Sequence, residues 1–166
     1  MLNKISNFIQ EQTSLLINNK NNVKHHYAFF LYPNTTIKLS EGSNDFISDK
    51  TCTTTHAELA ALLKIKKLKS CPKYIDLVVI NLKKNGDLGN SKPCSHCIYI
   101  LSISKVKINN VYFNNDSNVV IKQKFSKLSN LYTSDFHNKH FMSKSLRFKC
   151  RDNVLYNNYT TSTKSI

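Results

Sequence analysis

Two short segments carry side chains that could do chemistry together: His56-Ala57-Glu58, and Pro93-Cys94-Ser95-His96-Cys97. One imidazole and two thiolates form a donor set for zinc. That ion takes nitrogen and sulfur ligands tetrahedrally and, in a catalytic site, keeps its fourth position for water. His56, Cys94 and Cys97 are therefore the candidate ligands of a Zn2+ cofactor. Two cysteines two residues apart at a helix start can both reach one ion, and the positive end of the helix dipole favours their ionised form. Glu58 would stand beside the metal without binding it, where a carboxylate can take a proton from water and deliver it to a substrate. A metal in such a site brings the pKa of a water from about 15.7 to about 7.

Each part has a plainer reading. His56 could be a capping or surface histidine, and Glu58 a first-turn carboxylate favoured by the helix dipole. Cys94 and Cys97 could be a redox pair, but that leaves His56 and Glu58 without a role. His96 could close the site as a fourth ligand; with Cys94 and Cys97 on the inward face, its side chain is expected to point away. Cys52, Cys71 and Cys150 read as plain thiols, and His25, His26, His137 and His140 as surface or core histidines.

The elements that must position these groups follow from patterning. Leu2, Ile5, Phe8, Ile9, Leu15 and Leu16 predict an amphipathic helix over residues 2–18. The aromatic run Tyr27 to Tyr32, the turn Pro33-Asn34 and the β-branched stretch Thr35 to Leu39 predict a hairpin, with a loop from Glu41 to Asn44. Thr53 to Thr55 could cap a helix that carries His56 and Glu58. Tyr74 to Leu82 is nearly all apolar and reads as a central strand buried on both faces. A second helix begins at Cys94, and strands follow over Val106 to Phe113 and Val119 to Phe125. The short turn Asn114 to Asn118 makes those two strands antiparallel neighbours. This order predicts an α/β sandwich with a mixed sheet.

The pair H-x-E and P-C-x-x-C is the signature of the zinc nucleobase deaminases, and His56, Glu58, Pro93, Cys94 and Cys97 match it position for position. From about Ala28 to about Phe113 the chain resembles the cytidine and deoxycytidylate deaminase superfamily. The resemblance implies a three-layer fold with a mixed five-stranded sheet flanked by helices. It also implies hydrolytic conversion of a cytosine base to uracil in a nucleoside or nucleotide. By the same resemblance, Asn44 of Gly42-Ser43-Asn44 would contact the sugar and the backbone N–H of Ala57 would meet the base carbonyl. The approach Ser91-Lys92-Pro93 would offer backbone carbonyls to the exocyclic amine. Ile98-Tyr99 departs from the Arg-Gln that usually follows the second cysteine in free-cytidine deaminases, whereas antiparallel last strands are typical of that branch. Two alternatives stay open: a deaminase editing single-stranded nucleic acid or tRNA, and an inactive relative that keeps zinc to bind a partner.

The 166 residues suit one domain, large enough for a core without disulfide staples. The catalytic domain is expected over 1–125, an extension packed on it over 126–156, and a disordered tail over 157–166, where polar residues dominate. A net charge of +14 points to an anionic partner. Only Arg147 and Arg151 are arginines, and Asn, Ile and Lys abound, so part of the excess reflects codon bias rather than a binding face. A nucleotide fits the charge, and nucleic acid is a possible partner. Five cysteines with one tight pair are not a disulfide framework and suit a reducing compartment. With no membrane-length apolar run and no signal-peptide pattern, a soluble cytoplasmic protein without a membrane partner is expected. Many members of the resembling superfamily are homo-oligomers.

Overall fold

The computed structural model describes residues 1–18, 26–48, 53–65, 68 and 70–129. Helix α1 spans Leu2–Asn18, as its apolar spacing predicts, and buries Ile5, Phe8 and Ile9. Strand β1 (His26–Leu31) turns through Pro33 and Asn34 into β2 (Lys38–Ser43), an antiparallel pair. Two short strands, β3 (Asp45–Ser48) and β4 (Thr53–Thr55), form a separate antiparallel pair. Helix α2 (Ala57–Ile65) leads to β5 (Ile75–Leu82); β6 (Leu88–Gly89) folds back on β5. Helix α3 (Ser95–Ser102) leads to β7 (Ile108–Asn114), and β8 (Val120–Lys124) ends in a 3-10 turn at Phe125–Lys127.

The main sheet runs β2-β1-β5-β7-β8, with β6 as a sixth, short strand on β5. Among the described strands only β5 and β7 are parallel, joined by the crossover through α3; β7 and β8 are antiparallel neighbours across the short Asn-rich turn. The sheet is therefore mixed, and β5 lies at its centre, as its nearly all-apolar run implies. Alternation along the strands splits the core in two. Ala28, Phe30, Leu77, Val79, Val111 and Phe113 face α2 and α3. Tyr27, Phe29, Leu31, Val78, Ile80 and Tyr112 face α1. Because side chains alternate at period two, each buried strand feeds both layers, and the result is an α/β/α sandwich.

Two expectations about the loops are corrected. Glu41 to Ser43 are not loop residues but the end of β2, in register with Tyr27 to Phe29. The reason lies at Gly42: a Cβ there would meet the Ala57 carbonyl oxygen and the Ala61 nitrogen, so only glycine lets the strand run directly beneath α2. Thr53 to Thr55, expected at the helix start, form strand β4 paired with β3, and the His56 carbonyl accepts the N–H groups of Leu59 and Ala60 to open α2. Tyr32, the last residue of the aromatic run, is exposed just past the end of β1.

A polar tie fixes the end of the sheet where β5 and β7 begin. Asp76 is fully buried, and its carboxylate accepts the N–H of Asn34 and both the N–H and side-chain amide of Asn110. A buried charge needs such partners to offset its desolvation. Residues 130–166 lie outside the described residues, and with them most of the expected C-terminal extension and tail, Cys150, His137 and His140; Cys52 and His25 do too.

Candidate metal centre

Helices α2 and α3 begin side by side, and their starts bring the predicted ligands together. His56 opens α2; Cys94 is the N-cap of α3, with Cys97 in its first turn. The Nδ1 of His56 lies 3.4 Å from Cys94 Sγ and 3.2 Å from Cys97 Sγ. These three side chains form the group of possible metal ligands found among the described residues, with all donor atoms within 4.8 Å of one another. Zinc bonded at about 2.0 Å to nitrogen and about 2.3 Å to sulfur would hold such donors roughly 3.5 Å apart in a tetrahedron. The residues present therefore fit a zinc ion, and a nitrogen-and-two-sulfur set favours that ion over hard cations.

The electrostatics separate the two thiols. The Cys94 thiol is brought down to about 3, first by its hydrogen bond with Cys97 and then by His56, against the opposing effect of burial. Burial pushes the Cys97 thiol well above its ordinary range, and the Cys94 thiolate and Glu58 push it further. Burial lowers the His56 pKa, but the hydrogen bond and charge of Cys94 outweigh it, and the net direction is up. Without metal the cluster thus holds a thiolate, a thiol and an imidazole inclined to keep its proton.

Glu58 sits in the first turn of α2 and is 5 % exposed. It stands outside the ligand group but shares a side-chain hydrogen bond with Cys97. Burial first, and the Cys94 thiolate second, raise its pKa above the usual carboxylate range. A carboxyl group poised nearer neutrality is better matched to taking and giving a proton at physiological pH. His96 is not in the ligand group; its ring stands edge-on to His56 with centroids 6.1 Å apart.

The remaining expected site residues hold the frame around this cluster. Ala57 is fully buried at the start of α2, and its backbone N–H lies in the turn whose donors have no partner within the helix. Pro93 is buried immediately before the α3 cap. The Asn44 side-chain oxygen accepts the His26 N–H at 2.9 Å, and its own N–H donates to the His26 carbonyl. That bond locks the end of β2 to the start of β1, two residues beyond the glycine under α2. The Ser91 hydroxyl donates to the Val79 carbonyl at 2.7 Å and accepts the Asn114 N–H at 2.8 Å, stapling β5 to the end of β7 just ahead of Pro93. Neither Gly42 nor the Ser91 hydroxyl was read from the sequence for this work. The signal for Gly42 was its rarity, since the chain has three glycines.

No protein-family model matches the chain, and no curated protein matches it. Solved structures do. One is the 1.6 Å crystal structure of cytidine deaminase from Burkholderia pseudomallei, at 17 % identity and a TM-score of 0.48, covering 71 % of this chain and 91 % of that one. At that score the likeness adds nothing to the site, whose reading rests on the chain's own geometry.

Proposed function

We propose that this chain is a zinc-dependent hydrolytic deaminase that replaces the amine of a cytosine base by oxygen in a nucleoside or nucleotide. The observation that carries the proposal is the convergence of His56 Nδ1 on Cys94 Sγ and Cys97 Sγ, with the buried Glu58 carboxyl against Cys97. Zinc held by these three residues would supply the Lewis acid that makes a water nucleophilic at neutral pH. Glu58 would take a proton from that water and pass it to the ring nitrogen, then move the second proton to the departing amine. Water and cytosine are consumed, and uracil and ammonia leave. Ala57 would orient the base through its backbone N–H, Ser91 and Pro93 through their carbonyls, and Asn44 would meet the sugar.

A second reading, deamination within single-stranded nucleic acid or tRNA, is supported by the net charge of +14. An inactive zinc-holding binding protein would have no need of a buried carboxyl beside the ligands. The test follows ammonia release from cytidine, deoxycytidine, their monophosphates and a cytosine-containing oligonucleotide. Turnover of a nucleoside or monophosphate supports the proposal; turnover of the oligonucleotide alone selects the second reading. No release from any of them, by protein that holds zinc, contradicts the proposed reaction.

A further inference from the structure

The ends of α2 and α3 that point away from the ligand cluster meet a surface with a different chemistry. Two cavities adjoin there, of about 470 Å³ and about 340 Å³, sharing Pro72 and Lys73 as walls. Lys105 and Lys107 line the larger one; Tyr74 and Asn109 line the smaller. The three lysines are exposed, and among the described residues none has an ion-pair partner. Lys124 adds a fourth ammonium, held 2.7 Å from the Asn109 side-chain oxygen.

Exposed acids are absent from this end among the described residues. Between residues 59 and 134 the chain has three acids, Asp76, Asp87 and Asp116. Asp87 and Asp116 stand in the turns that follow β5 and β7, at the opposite end of the sheet. Asp76 is at the lysine end but is fully buried, with its oxygens taken by backbone and amide donors. Every exposed charge among the described residues around the two cavities is therefore positive. Tyr74 adds a ring that is 46 % exposed, with the Lys73 ammonium 5.6 Å from its centroid. Clustered cations supply contacts for phosphates, and an exposed aromatic ring supplies a stacking surface for a base; together they suit a single strand better than a duplex, whose bases are already stacked.

We infer that this end of the sheet is a binding surface for single-stranded nucleic acid, with Lys73, Lys105 and Lys107 contacting phosphates and Tyr74 stacking on a base. The surface is separate from the ligand cluster, since the nine residues of α2 put roughly 13 Å between them at about 1.5 Å per residue. The inference does not depend on the deaminase reading. An exposed lysine surface is also open to anionic lipid, which lacks bases to stack and so leaves Tyr74 unexplained.

The test uses fluorescent oligo-uridine and oligo-thymidine, which contain no cytosine, with the zinc-loaded full chain and its Glu58→Ala variant. Anisotropy is read across a salt series. Both proteins are expected to bind, with a slope of log affinity on log salt of about −2, from three phosphate contacts at roughly −0.7 each. The triple variant Lys73→Gln/Lys105→Gln/Lys107→Gln should lose tenfold or more in affinity at low salt and most of that slope. Lys4→Gln/Lys83→Gln/Lys84→Gln removes the same charge elsewhere and should bind as the parent does. Tyr74→Leu should weaken binding several-fold with the slope kept. Equal losses in the two triple variants would overturn the inference, because net charge alone would then explain binding. So would equal binding of a duplex, or capture of phosphatidylserine vesicles with neither strand bound.

Discussion

At the scale of single residues, protonation governs how readily the cluster could take a metal ion. With burial holding the proton on Cys97, and Cys94 raising the His56 pKa, the metal-free cluster carries protons that a bound ion must displace. Binding that releases protons strengthens as pH rises, by about tenfold per pH unit for each proton displaced. Zinc affinity, measured by competition with a chromophoric chelator from acid to neutral pH, should climb at least that steeply, and more so where His56 is also protonated. An affinity flat across that range would contradict the protonation pattern. A second residue bears on stability. Tyr112 is fully buried, and among the described residues its hydroxyl has no hydrogen-bond partner. Burial, and then the Asp76 charge, push its pKa up to about 12. Because the unfolded phenol ionises near pH 10 and the folded one does not, the native state loses stability as pH rises above about 10. Tyr112→Phe should leave stability at neutral pH unchanged or raise it by up to about 1 kcal/mol. In urea melts at high pH it should fall less than the parent; a clear loss at neutral pH would mean that the hydroxyl is satisfied after all.

At the scale of elements, the cluster depends on how closely α2 lies on β2. Gly42→Ala would drive a methyl into the helix backbone at Ala57 and Ala61, so the helix must lift and carry His56 and Glu58 with it. The expected cost is about 1–3 kcal/mol of stability, together with weaker zinc binding, read by thermal melts and metal competition on one preparation. A variant with the parent's melting point and zinc affinity would show that the contact can relax. The elements also show what patterning reveals. Helix α1, the central strand β5 and the antiparallel pair β7–β8 were legible because long runs repeat at the helical period, stay apolar, or flank a turn of Asn and Asp. The pair β3–β4 was not, since strands of four and three residues have too little alternation to register. The end of β2 was hidden by Glu41-Gly42-Ser43, turn-like residues that become strand because α2 needs a backbone without a side chain beneath it.

At the scale of the whole molecule, two ends with different chemistry share one sheet. The candidate ligands gather where α2 and α3 begin, and the lysines where they end. The convergence of His56, Cys94 and Cys97 could be expected from residue types and spacing, because H-x-E and P-C-x-x-C point to one another without distance information. The lysine surface could not, because its members lie on segments separated by some thirty residues in the chain and are joined only by the parallel pairing of β5 with β7. In the described residues no helix is long and apolar enough to cross a membrane.

The proposed reaction is tested by one comparison: bound zinc and ammonia release, measured on the same preparations of the parent and Glu58→Ala proteins. The parent should carry about one zinc per chain and release ammonia from a cytosine nucleoside or nucleotide. Glu58→Ala should keep its zinc and fold while losing roughly 10²- to 10⁴-fold in turnover. A parent that binds no zinc, or a Glu58→Ala protein that turns over as fast as the parent, would contradict it.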